Sequence, residues 1–447
     1  MSFVTRRQFI QQSAAGATAL GLFLNGKRVQ LEAAPLPKPA SPNDRVNVGF
    51  IGYGIRGCYL MENVKQTGQA NLVAVADCYQ GHLDRAKERT DDAIETYFAQ
   101  YKKLLDRKDL DAVVIATPDH WHTPMVLDAV AAGKDVYIEK PMTYCVEEGP
   151  KIIEAAKRTN RMVQVGSQWV SAPMHIKAKE IVQSGKIGKV TKVIAFYNRN
   201  SSTGAWNYPI PPDLKNGVNF QWEEWLGPAP KRPFDAERVF RYRKYWDYSG
   251  GTATDLFYHV VAPLNICWGE AQFPARVVGT GGNYVFKDER EVPDTFMLVA
   301  DYAAGHSLVL SSSMANSHHI PGLIRGHEGT LIMVENGEFE SRAEYITVIP
   351  ELVRDPKTRE KVPLKAEYAA KFGGDPIQIP VDQTDMMTAH IENFLACVRS
   401  RQKPHLDVET GARAQAVINL AVESYREGRV LYWDEKSWKA SPKPVKA

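Results

Sequence analysis

The sequence predicts an α/β protein with a parallel, doubly wound sheet near its N-terminus and a second region of strands and helices behind it. Three observations predict it. A short apolar run, Val46 to Ile51, leads directly into Gly52-Tyr53-Gly54-Ile55-Arg56-Gly57. The next apolar run, Asn71 to Ala76, ends in an acid, Asp77, 25 residues after Gly52. Strands and helices then keep alternating, which is the pattern of a parallel sheet with crossover helices.

Taken in order, Val46 to Ile51 reads as a buried strand. Gly52 permits the tight turn that follows, Gly54 lets backbone approach a diphosphate, and Gly57 lets the helix pack on the strand. A helix that starts there offers free N–H groups to an anion. Tyr53, Ile55 and Arg56 complete the loop. Asp77 stands near the ~20-residue offset at which an acid holds the adenosine ribose hydroxyls. It would repel a 2′-phosphate, so NAD is expected, with NADP less favoured although Arg85 is close by. Ala112 to Ala116 is the next strand, followed by Thr117-Pro118-Asp119-His120-Trp121-His122 and a helix to Ala132 that Gly133 stops. Asp135 to Ile138, a strand, ends in Glu139-Lys140-Pro141. A helix from Val146 to Thr159 leads to a last strand, Met162 to Val165. The Thr117–His122 and Glu139–Pro141 segments thus lie at the carboxyl ends of strands, where ligands of such sheets bind.

Composition narrows the function. The 447 residues are 44% hydrophobic and 24% charged, as in ordinary globular proteins. The first 44 residues carry five basic and two acidic side chains, which leaves 50 of each in the body. A neutral body has no basic footprint for nucleic acid. The five cysteines, at 58, 78, 145, 267 and 397, form no CxxC pair, so reduced and mostly buried thiols are expected.

Thr5-Arg6-Arg7-Gln8-Phe9-Ile10 precedes an apolar run, Ala14 to Leu24, and a Pro-rich stretch, Pro35 to Pro42. This is the layout of an export signal and linker, and the paired arginines resemble a twin-arginine signal, which carries folded proteins. The protein is therefore expected to use the export machinery, to be periplasmic or at the bacterial cell surface, and to keep no stable membrane span after processing.

Gly52-x-Gly54-x-x-Gly57, Asp77, Thr117-Pro118-x-x-x-His122, Ala132-Gly133-Lys134, Glu139-Lys140-Pro141, Gly250-Gly251 and Asp255-x-x-x-His259 together resemble the glucose–fructose oxidoreductase, inositol dehydrogenase and rhizopine-catabolism family. His120-Trp121-His122 and Trp225-Leu226-Gly227-Pro228 are similar to an exported bacterial branch of it. The resemblance implies a Rossmann domain over 45–165 and an α+β substrate and oligomerisation domain over 166–383. It implies an open, mostly antiparallel sheet there, and Val190 to Asn198, Ala275 to Gly281, Thr295 to Tyr302 and Ser307 to Ser313 have strand composition. An insertion of about 201–248, rich in Pro, Trp and Tyr, either walls a carbohydrate site or packs as a surface lobe. Helices within 384–447, Met387 to Val398 and Thr410 to Tyr425, are expected to return to the first domain.

The resemblance also implies the chemistry: an NAD-dependent oxidoreductase acting on a sugar, polyol or glycoside, with tightly bound cofactor and a homodimeric or homotetrameric assembly. The alternative is a redox-cycling glycosidase that oxidises C3 transiently, eliminates the glycosidic substituent, adds water and reduces the ketone. Lys140 would hydrogen-bond the reacting hydroxyl, His259 would take its proton, and Asp255, on the same helical face, would orient it. Gly52, Tyr53, Gly54, Ile55, Arg56, Gly57, Asp77, Thr117, Pro118, His122, Glu139 and Lys140 are expected around the cofactor. Lys140, Asp255, His259, His318 and His319 are expected around the substrate, and no metal is assigned.

Overall fold

The computed structural model describes residues 44–445 apart from 203, 269, 335–343 and 373. It also describes a hairpin in which Leu22–Leu24 pairs with Lys27–Val29. The rest of the expected leader and its Pro-rich linker lie outside the described residues.

The first domain is built on six parallel strands: β1 (Val46–Ile51), β2 (Ala70–Asp77), β3 (Glu95–Phe98), β4 (Ala112–Ile115), β5 (Asp135–Glu139) and β6 (Val163–Gly166). Their order is β3-β2-β1-β4-β5-β6. β4 and β5 are buried along their whole length, which is why they read as continuous apolar runs. The order reverses between β1 and β4, and the crevice over their carboxyl ends is where the chain can cradle a ligand.

The second domain is a ten-stranded sheet. From one edge to the other it runs Ile377–Pro380, Tyr345–Pro350, Gly329–Val334, Gly322–Gly326, Val190–Phe196, His306–Ser313, Thr295–Tyr302, Pro274–Gly282, Leu431–Asp434 and Lys439–Ser441. Only Val190–Phe196 and His306–Ser313 pair in parallel; the remaining neighbours are antiparallel. Thr295–Tyr302 alternates as one-sided strands do: Phe296, Leu298 and Ala300 are buried, while Met297 and Val299 face outward.

Both C-terminal helices reach back to the first domain. Met386–Ser400 returns to the first, where Met387, Ile391, Phe394 and Leu395 join Val46, Val48 and Phe50 in one core. Val408–Glu427 lies against both domains: Gln415 Oε1 accepts from Met142 N–H at 2.9 Å, and a Cβ on Gly411 would meet Val165 at 2.8 Å. It crosses the second sheet so closely that a Cβ on Gly279 would lie 2.0 Å from the Ala421 carbonyl oxygen. The chain then ends as the last two strands of that sheet.

Residues 201–248 form a lobe with the short helices Trp222–Leu226 and Ala236–Phe240. Phe220, Trp222, Trp225, Val239 and Tyr248 make its core, and Tyr79 of the first domain is part of it. The lobe is stitched to the end of β2 by backbone. Gln80 N–H donates to the Asn219 carbonyl at 2.8 Å, and Gln221 N–H to the Cys78 carbonyl at 3.1 Å.

Among the described residues no helix is long and apolar enough to cross a membrane. All five cysteines are free thiols: Cys267 and Cys397 are buried, and Cys58, Cys78 and Cys145 are half-buried.

Candidate active site

The crevice over β1 and β4 opens into a cavity of about 760 Å³. Gly52, Gly54, Ile55, Arg56, Asp77, Thr117 and Pro118 line its inner side. The inserted lobe closes the outer side with Tyr208, Phe220, Trp225, Phe240 and Arg243. The lobe, expected either to wall a carbohydrate site or to pack on the surface, lines this crevice.

The residues present suit a dinucleotide. Gly52 has φ +86°, and a Cβ there would lie 2.7 Å from the Ala116 carbonyl oxygen. At Gly54 a Cβ would meet only the His82 ring, at 3.8 Å, so the backbone faces open space. No side chain caps the N-terminus of Ile55–Thr67, which leaves its first N–H groups for a diphosphate. The Asp77 carboxylate accepts from Tyr53 N–H at 2.6 Å and Tyr79 N–H at 2.9 Å, and meets the His82 ring at 3.1 Å. Burial alone would raise its pKa, but His82 and these N–H groups hold it below the usual range.

Several expected contacts take a different form. Tyr53 turns its ring into the core, fully buried. Gly57 packs beneath Gly52, whose carbonyl oxygen a Cβ would meet at 2.1 Å. Glu139 accepts from Arg56 at 2.7 Å. His122 is fixed by both ring nitrogens to backbone carbonyls, of Pro141 at 2.5 Å and Thr117 at 3.0 Å. It ties the two strand-end loops together and does not line the cavity. For His122 the physical reason is that a buried polar group takes the nearest backbone partner.

Lys140 ends up where strand-end reasoning placed it, followed by a cis peptide bond to Pro141. Its ammonium donates to the Asp255 carbonyl at 2.6 Å and to Asp255 Oδ1 at 2.9 Å. Asp255 and His259 were expected on one helix. They occupy two consecutive short ones, Thr252–Leu256 and Tyr258–Cys267. Tyr258 is core, as expected, and its hydroxyl donates to the Gly411 carbonyl at 3.0 Å.

Asp255 collects three donors, two of which the sequence reading missed. Arg243 Nε donates to Oδ1 at 2.8 Å and Trp206 Nε1 to Oδ2 at 3.2 Å, both from the inserted lobe. Trp206 has φ +62°, a strained backbone for a bulky residue, of the sort that costs ~1–3 kcal/mol and collects at functional sites. Burial would raise the Asp255 pKa, but Arg243, Lys140 and Arg199 hold it well below the carboxylate range. Burial, with Lys140 and Arg56 nearby, pushes the His259 imidazole well below its usual range, so the ring is neutral. Its ring lies 6.1 Å from that of Tyr197. His319 packs on the adjacent Phe196 at 5.8 Å, whereas His318 is exposed. No group of three or more His, Cys, Asp or Glu side chains suited to a metal ion occurs among the described residues.

Asp119, also unforeseen, accepts from Ser249 Oγ at 2.7 Å and Thr254 Oγ1 at 3.2 Å. It anchors the loop that precedes Asp255, and burial raises its own pKa. The two motifs noted as branch markers touch: Trp121 Nε1 donates to the Trp225 carbonyl at 2.7 Å, and a Cβ on Gly227 would strike the Trp121 ring at 2.0 Å.

Comparison with known proteins agrees with this geometry. Residues 46–167 match an oxidoreductase family with an NAD-binding Rossmann fold, and residues 176–362 match the C-terminal alpha/beta domain of an oxidoreductase family. This chain belongs to the glucose–fructose oxidoreductase, inositol dehydrogenase and rhizopine-catabolism family. Within the family it is similar to an alpha-N-acetylgalactosaminidase of Shewanella oneidensis. The two are 31% identical over 233 residues, which is 46% of this chain and 50% of that protein. A glycosyl hydrolase family 109 protein of Shewanella sp. strain ANA-3 is 31% identical over 215 residues, 44% of this chain and 46% of that protein. The chain thus spans about half the length of the curated relatives it matches. The fold is shared with aldose-aldose oxidoreductase from Caulobacter crescentus, at TM-score 0.63 and 17% identity over 87% of this chain and 99% of that one. A levoglucosan dehydrogenase solved with NADH and levoglucosan gives TM-score 0.64 and 18% identity, again over 87% and 99%.

Proposed function

We propose that this family member is an NAD-dependent oxidoreductase that acts on a CH–OH group of a sugar, polyol or glycoside and holds its cofactor tightly. The observation that carries the reading is the Lys140–Asp255 pair at the carboxyl end of β5, with a neutral His259 within reach of both charges. Gly52, Gly54, Arg56, Asp77, Thr117 and Pro118 would hold the dinucleotide. A nicotinamide held there supplies a two-electron acceptor for hydride. Lys140 would donate a hydrogen bond to the reacting hydroxyl and steady negative charge on its oxygen. His259 would take the hydroxyl proton, and Asp255 keeps the Lys140 ammonium in place. NAD is favoured over NADP because Asp77 carries its negative charge at the ribose end.

A second reading draws support from the relatives named as glycosidases and from the lobe that closes the crevice. In it the sugar is oxidised at C3, the acidified C2–H is removed, the glycosidic substituent leaves, water adds, and hydride returns. The twin-arginine-like leader fits either scheme, because a chain loaded with cofactor before export needs it retained.

The test is to denature the purified protein, identify the released nucleotide and its redox state, and then screen sugars and glycosides. A change in nicotinamide absorbance with a keto or lactone product supports the first reading. Cleavage without added cofactor, with deuterium uptake at C2, supports the second. Protein that neither contains nor binds a pyridine nucleotide overturns both.

A further inference from the structure

We propose that the sugar this site accepts carries a carboxylate, as a hexuronate does, and that Arg199 pairs with it. The inference takes the sugar chemistry of the preceding section as its basis and adds a substrate class. Arg199 lies just beyond the strand Val190–Phe196, and its backbone N–H donates to the Ser313 carbonyl at 2.9 Å, which fixes its place. Its guanidinium carbon is 5.9 Å from the centre of the Trp206 ring, and Trp206 in turn donates to Asp255. Arg199 is close enough to act on the charge of both Asp255 and His259.

The charges around this point do not balance. Lys140 and Arg243 share the single carboxylate of Asp255. Glu139 is taken by Arg56. Asp119 is hydrogen-bonded to Ser249 and Thr254 and faces the charge of Arg243. The half-buried Arg199 guanidinium has a ring contact and, among the described residues, neither a carboxylate partner nor a side-chain hydrogen bond. A dinucleotide does not account for it, since Arg56 and Arg243 border the cavity and Arg199 does not. Excess positive charge in a partly dehydrated site is unfavourable until an anion enters. A planar guanidinium fork matches a carboxylate in two parallel hydrogen bonds, which a neutral sugar does not offer.

The experiment is calorimetric titration of the protein as purified, with its nucleotide bound. The ligands are glucuronate, galacturonate and mannuronate, the corresponding hexoses and their 6-sulfates. At least one uronate is expected to bind about 10- to 100-fold tighter than its hexose, as befits a charge-assisted pair. Arg199→Leu should shrink that ratio by the same factor. Arg199→Lys, which keeps the charge and loses the fork, should retain part of it and serves if the leucine variant does not fold. A hexose bound as tightly as its uronate in every pair, a sulfate preferred to the uronate, or a preference unmoved in both variants overturns the proposal. If uronates bind through Arg199 yet no sugar changes the nicotinamide absorbance, the oxidoreductase reading fails and the carboxylate site stands.

Discussion

The Lys140 ammonium grips Asp255 twice, through the backbone carbonyl at 2.6 Å and through Oδ1 at 2.9 Å. One residue closes a strand of the first domain and the other sits in a helix of the second. The contact that sets the site is therefore also a clamp between domains.

Asp255→Ala should lose both roles. Removing one partner of a buried ion pair costs ~3–5 kcal/mol, because the cations left behind are neither paired nor hydrated. Urea unfolding midpoints should fall accordingly and turnover should drop by ~10²-fold or more. A variant as stable as the parent would show that Lys140 and Arg243 find other partners.

Lys140→Met leaves Asp255 bonded to Arg243 and Trp206, so it should destabilise less than Asp255→Ala while turnover falls ~10²–10³-fold, the usual effect of removing one donor to developing oxyanion charge. Single-turnover rates in the nicotinamide band measure this directly. Unchanged rates would remove Lys140 from the chemistry.

The pH profile should carry the mark of His259. A base works in its neutral form, and burial beside Lys140 and Arg56 lowers the imidazole pKa. The acid limb of kcat/KM is therefore expected well below the ordinary histidine value of about 6.5. A limb at or above that value would point to another base.

Acid stability should follow the buried neutral histidines. Burial takes His175 and His390 down to about 3, and His120 and His306 to about 4. The unfolded chain then binds more protons below about pH 6.5, so stability is complete above that pH and falls as pH drops toward the folded values. Each such group contributes up to about 1.4 kcal/mol per pH unit in that window. Denaturant midpoints at about pH 7 and about pH 5 give the slope, and a flat dependence would contradict the burial.

Phe220→Ala should loosen the lobe. Emptying a buried phenylalanine site costs ~3–5 kcal/mol, and Phe220 packs where the lobe is stitched to β2. The bound nucleotide should then be lost during gel filtration while the parent retains it. Equal retention would mean that the lobe does not hold the cofactor.

The first domain was legible because its signals are local: an apolar strand, glycines with no room for a Cβ, and an acid at the next strand end. Strand β3, Glu-Thr-Tyr-Phe at the sheet edge, escaped notice because it is short, polar at its start and only partly buried. Lys140, Asp255 and His259 were found through their motifs. Trp206 and Arg243 were missed, since their meeting at Asp255 depends on contacts far apart in the chain. The one available hint was the aromatic-rich composition of 201–248. The direction of the His122 ring, toward the Pro141 and Thr117 carbonyls, was not legible, because a motif position names a residue but not where its ring points.

The core of the first domain is closed by Met387, Ile391, Phe394 and Leu395, more than three hundred residues after β1. On the ribosome, the nucleotide-binding half is therefore synthesised long before the helix that completes it. That half cannot reach its final packing until residue 395 has emerged, so its binding cleft is finished only after eight of the ten strands of the second sheet have been made.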